Sequence, residues 1–236
     1  MDTALFLAFA LAYLVLLVWG VILAKRHEWW TPANLPLLVV AGLVYDNAII
    51  GLGRWIGEGE LLEAANVLRF WIHAFVTPVL VAWGLHTLRR AGFRWAQAAW
   101  YQVVSIAAVL VLVVIELLTE VRGLQIEPAW EYGVLSYGNA APSGGPPVMV
   151  LVVAFVLLTV GAVLWWKRGW PWLFVGALLM TIGSAVEVPV DSGAVTNAFE
   201  LTLIISIMAT KAHQDRAAVA LARTRREAPG DPLQGA

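Results

Sequence analysis

Asp46, Arg69, His73, Glu116, Glu187 and Glu200 are titratable side chains set in stretches that are otherwise apolar. Two carboxyls, a guanidinium and an imidazole gathered in such surroundings suit acid/base chemistry. Burial favours the neutral acid and a nearby cation favours the anion, so two acids in different settings divide into proton donor and base. Asp46 and Glu200 are the pair expected to carry catalysis, with His73 moving a proton or orienting one of them. Arg69 suits an anionic headgroup or phosphate. Asn47, Glu116, Glu187 and Asn197 complete the expected substrate-binding set, and the reactions that fit are hydrolysis, isomerisation or cyclisation of a lipid or isoprenoid.

Helical spacing brings these groups to common faces. Arg69, His73 and Thr77 recur at i, i+4 and i+8, and Pro78 just beyond frees a backbone carbonyl and predicts a kink. Asn197 and Glu200 share a face, as do Ser184 and Glu187. Asp46 lies one turn from Ile50 and two from Arg54, while Gly51 and Gly53 let a neighbouring helix approach closely. The faces are expected to turn inward and form one polar pocket with Asp46 at its floor. The alternative is architectural: Asp46 pairs with Arg69 or Arg54, Asn47 and Asn197 bond across helices, and the set only fixes packing.

The elements that must position them follow from composition. Of 236 residues, 61% are hydrophobic and 13% charged, and the mean hydropathy is +0.78, which describes a membrane protein. Seven apolar segments, near 4–24, 37–56, 65–88, 97–118, 147–166, 172–188 and 195–210, each approach the roughly 20 residues that cross a bilayer. The fold expected is all-α: a polytopic seven-transmembrane-helix bundle forming one domain over 1–213, followed by a basic, partly disordered cytoplasmic tail over 214–236. The first segment lacks a basic leading region and a cleavage site, so it is expected to remain as a helix.

Charge sets the orientation. Twelve of the fifteen Lys and Arg residues fall after segments one, three, five and seven, whereas Asp2, Glu58, Glu60, Glu63, Glu120, Glu127, Glu131 and Asp191 fall on the other side. Basic loops belong in the cytoplasm, so the amino end is expected outside and the carboxyl end inside, in the cell membrane. Trp29, Trp30, Trp95, Trp100, Trp165, Trp166, Trp170 and Trp172 gather near the inner boundary, where they are expected as interfacial anchors. With this topology every ionisable group within the spans, His86 apart, lies at mid-depth or in the outer half. The long external loop, 119–147, ends in a Gly/Pro/Ser run and is expected either as a lid or as a plain crossover. The tail from Gln214 is expected to continue segment seven as a basic helix that frays after Pro229.

Several classes are excluded or weakened. Cys is absent, which removes disulfides, thiol nucleophiles and thiolate metal sites. There is no Gly-x-Ser-x-Gly, His-Glu-x-x-His, Walker loop or dinucleotide fingerprint. No cofactor is expected; a metal would have only His73, Asp46, Glu187 and Glu200 as ligands. Seven spans with an outside amino end is also the topology of microbial rhodopsins and of seven-helix zinc hydrolases. Lys211 lies at the end of segment seven rather than mid-span, and His27, His86 and His213 fall on the inner side away from His73, so neither family is inferred. The expected partner is a membrane lipid or another apolar small molecule, with no nucleic acid. Two other classes remain open: a proton-coupled transporter built as three plus one plus three spans, with Asp46 and Glu200 as relay acids, and a non-catalytic assembly or regulatory partner.

Overall fold

A computed structural model describes residues 2–141, 147–185 and 192–227. Helices run over Asp2–Arg26 (α1), Pro36–Ile56 (α2), Glu60–Val76 (α3), Val79–Arg90 (α4), Ala99–Glu116 (α5), Val148–Arg168 (α6), Trp172–Ala185 (α7) and Gly193–Glu227 (α8). Among the described residues, six stretches are long and apolar enough to cross a membrane: α1, α2 with the short turn before it, α3 and α4 together, α5 with the turn after it, α6, and Gly193–Leu221 of α8. The described part of α7 has 14 residues, below the roughly 20 of a full crossing, and residues 186–188 of the expected segment lie outside the described residues.

The surface of these helices is apolar. Leu11, Val15 and Val18 on α1 and Val103, Ile106, Leu110 and Val111 on α5 are exposed. Soluble monomers do not present such continuous apolar faces, which solvation by lipid explains. The chain is a helical membrane protein. Thr159, Thr181 and Thr202 satisfy their hydroxyls within the helix by donating to carbonyls one turn back.

The helices close into a ring. α1 packs on α2 and α8, α2 on α3, α4 on α6, α6 on α7, and α7 on α8, while α5 lies outside against α4. Small residues permit the closest crossings: a Cβ at Gly161 of α6 would sit 2.5 Å from the backbone nitrogen of Phe174 on α7. Tyr13, Val40, Trp83, Leu157, Ile204 and Met208 fill the centre. The predicted interruption at Pro78 is present: α3 ends at Val76 and α4 begins at Val79, because Pro78 has no N–H for the carbonyl of Ala74.

One feature departs from expectation. The long loop carries structure of its own, an antiparallel hairpin of β1 (Ile126–Glu131) and β2 (Val134–Asn139) in register from Ile126 opposite Asn139 to Glu131 opposite Val134. Tyr132 and Gly133, at φ 48° and 84°, make the two-residue turn whose twist matches paired strands. Leu135 is fully buried, and its carbonyl rests directly on Gly53 of α2, where any Cβ would collide. Thr3 Oγ1 donates to the Gly133 carbonyl (2.8 Å), and the Gly59 N–H donates to Tyr137 Oη (3.1 Å). The hairpin thus clamps one end of the bundle, the end opposite the basic residues. At the basic end α8 continues past 210 to Glu227, the helical extension expected of the last segment.

Candidate functional site

A cavity of about 130 Å³ lies within the ring. Asp46 enters it from α2, Arg69 and His73 from α3, and Glu200 from α8; Val150, Val153 and Leu157 of α6 and Ala177 and Met180 of α7 make the facing wall. Four of the expected site residues therefore line one space. The Pro78 interruption contributes, since His73, Thr77 and Leu80 line the cavity from both sides of it.

The contacts divide the four into two kinds. Asp46 Oδ1 accepts a hydrogen bond from Arg69 Nε at 2.7 Å, and Arg69 Nη1 donates to Asn66 Oδ1 at 2.6 Å. Asn66 is fully buried and donates in turn to the Leu62 carbonyl at 2.7 Å. Arg69 is thus anchored at two of its nitrogens, so the ion pair of the architectural alternative is present, and the guanidinium is less free for an anionic ligand than its sequence position implied. Tyr45 on the same face donates to the Ala65 carbonyl at 2.9 Å and ties α2 to α3. Glu200 differs. Among the described residues nothing forms a hydrogen bond or ion pair with it, and it faces the cavity from a wall of Leu203 and Ile204.

His73 is placed between two neighbours. Its Nδ1 lies 3.2 Å from Thr77 Oγ1, and its Nε2 lies 3.7 Å from Glu116 Oε1. Glu116 is buried at the end of α5 and does not line the cavity; it reaches the site only through the imidazole. The Asn residues do not bond across helices. Asn47 donates to Leu43 and Asn197 to Gly193, each on its own helix, and neither lines the cavity. Their Oδ1 atoms are buried without a partner among the described residues. Glu187 lies outside the described residues.

Two groups of consequence were not singled out in the sequence. Tyr13 of α1 is fully buried, and its hydroxyl has no partner among the described residues. Leu7 meets Gly51 and Leu37 meets Gly20, so the antiparallel pairing of α1 and α2 sets Tyr13 level with Val44, within a turn of Asn47. Its signal was available as the only hydroxyl in the middle of an otherwise apolar first helix.

The second group lies towards the basic end. Asp215 accepts from Arg90 Nη2 at 2.7 Å and from Lys211 Nζ at 2.6 Å, with Lys211 and Asp215 only 1% and 3% exposed. Buried ionisable groups therefore also occur towards the basic end, just beyond the 195–210 bounds of the expected last segment. The i, i+4 spacing of Lys211 and Asp215 was the available sign. Trp170 departs from the interfacial set as well: its ring stacks on His213 at 4.0 Å and its N–H donates to Thr210 Oγ1 at 2.9 Å.

Among the described residues no three His, Asp or Glu side chains gather closely enough to hold a metal ion. Comparison of the chain with protein-family models, with curated proteins and with solved structures finds no match.

Proposed function

We propose that this protein is an intramembrane enzyme that performs carboxylate acid/base chemistry on a lipid or isoprenoid. The observation that carries the proposal is the pair of unlike acids in one apolar cavity: Asp46 is held by Arg69, and Glu200 has no partner among the described residues. One carboxyl fixed by a cation and one left open are the two environments from which a base and a proton donor are made. His73, between Thr77 and Glu116, connects the cavity to the hairpin end for proton exchange. A cavity of about 130 Å³ is smaller than the roughly 300–1,000 Å³ that encloses a whole small molecule, so it suits the reacting end of a chain whose remainder lies among the helices or in the bilayer.

In the same proposal α7 is a seventh span, the hairpin end faces out and the basic end faces the cytoplasm, in the cell membrane. The distribution of Lys and Arg supports this orientation.

The test is turnover. Purified protein and its Asp46→Asn and Glu200→Gln variants are incubated with a polar-lipid and isoprenoid extract, and every species is followed by mass spectrometry. A product formed by wild type and lost in both variants is the expected result. If no species changes with any of the three folded proteins, the enzyme reading fails.

A second reading, a proton-coupled transporter, has an observation of its own. The ring is made of α1 to α4 and α6 to α8 with α5 outside, which is the arrangement of three spans, one linker and three spans, and the Arg90, Lys211 and Asp215 set supplies ionisable groups in the other half. Proton-coupled flux in liposomes that Glu200→Gln abolishes, without any lipid product, would select it.

A further inference from the structure

A second cavity, about 580 Å³, opens at the basic end between α4, α6 and α8. Arg90, Arg168 and His213 line it together with Trp170, while Leu164 and Leu221 give it an apolar side. No carboxylate lines it among the described residues. Asp215 is engaged at both oxygens, by Arg90 and Lys211, and does not reach Arg168. Three cations against one carboxylate leave the region with a surplus of two positive charges before any contribution from His213.

These groups are held in place. Arg168 donates to the Ala91 carbonyl and lies 5.6 Å over the Phe93 ring. Arg90 is fixed by Asp215, and the His213 ring lies flat against Trp170, whose own N–H is bound to Thr210. Gln214 also lines the cavity, with its amide N–H donating to the Thr87 carbonyl at 2.9 Å. The cavity also lies at the level of the exposed Trp165, Trp166 and Trp172, the depth at which amphipathic rings meet headgroups.

We propose that this cavity binds the phosphodiester headgroup of an anionic phospholipid, with Arg168 and Arg90 on the phosphate and the Leu164 and Leu221 side against the glycerol and first acyl carbons. Guanidinium groups match phosphate oxygens in geometry as well as charge, and basic pockets between helices at the cytoplasmic side are suited to anionic headgroups. A free phosphate would use the cations and leave the apolar wall without a role. The inference is independent of the chemistry at Asp46 and Glu200.

The experiment is native mass spectrometry of the delipidated full chain in neutral detergent, titrated with phosphatidylglycerol, with phosphatidylcholine, or with inorganic phosphate. One phosphatidylglycerol is expected to bind about tenfold more tightly than phosphatidylcholine, and Arg168→Gln is expected to weaken it about tenfold, the size of one charged hydrogen bond. Leu221→Glu, at an exposed residue of the rim, is expected to weaken it similarly by repulsion and without burden on the fold. Arg26→Gln, an exposed basic residue at the same end, is expected to leave binding unchanged. Equal weakening by Arg168→Gln and Arg26→Gln would make the attraction diffuse and overturn the site. No preference between the two lipids, or inorganic phosphate binding as tightly as phosphatidylglycerol, would overturn the lipid assignment.

Discussion

Two ionisable sets share helix α8 about three to four turns apart, and they are built on opposite principles. Towards the basic end, Asp215 has one cation on each oxygen, and Lys211 and Asp215 are almost wholly enclosed. In the hairpin half, Asp46 has Arg69, but Glu200 and the Tyr13 hydroxyl have no partner among the described residues, and a cavity separates the acids from the opposite wall. A closed set is explained by the stability of the bundle that contains it. An open set costs desolvation with nothing in the fold to offset it, and its retention points to a ligand or a proton.

The contrast predicts unequal responses to substitution. Asp215→Asn leaves the buried Lys211 without its carboxylate, beside the half-buried Arg90, and is expected to destabilise the protein by about 3–5 kcal/mol, read as a large fall in the unfolding midpoint in detergent. Arg69→Met strands the Asp46 carboxylate and the Asn66 amide and is expected to cost about 2–3 kcal/mol by the same measurement. Gly53→Val pushes the hairpin off α2 at the Leu135 carbonyl; a loss of about 1–3 kcal/mol with faster proteolysis between β1 and β2 would mark it as a local event. Glu200→Gln sits last, within about 0.5 kcal/mol of wild type, yet it is expected to abolish turnover. A fall in stability as large as that of Asp215→Asn would show that Glu200 has a structural partner and would erase the distinction.

Much of the hairpin-half site was legible in the sequence because membrane depth acts as a ruler. Asp46, Arg69, His73 and Glu200 all lie between mid-depth and the same end of their segments, and helices of fixed rise then bring them into one half of the bundle. Pro78 was legible because its missing N–H breaks a helix wherever it occurs in the interior. Depth alone does not give rotation or rotamer. Asn47 and Asn197 satisfy their amides on their own helices, and Glu116 turns to His73 rather than into the cavity. The hairpin was hidden because its strands carry Pro128, Gly138 and four polar residues, Glu127, Glu131, Ser136 and Asn139, in place of clean alternation, and its stability comes from contacts with α2 and the amino end. Asp215 lies in the stretch expected as a basic helical extension, and apolar periodicity, which ends near 210, gives no sign that this extension packs against α4 through Arg90.

The central claim is that Glu200 is an open carboxyl in an apolar cavity and Asp215 is a closed one. It is tested most directly by an apolar carbodiimide, which enters from the lipid phase and attacks carboxyl groups that have no ion pair. Intact-mass analysis after labelling, followed by peptide mapping, is expected to give one adduct at Glu200, lost in Glu200→Gln and absent from Asp215. Labelling at Asp215, or an unmodified Glu200 under conditions that label other membrane carboxyls, would contradict the account.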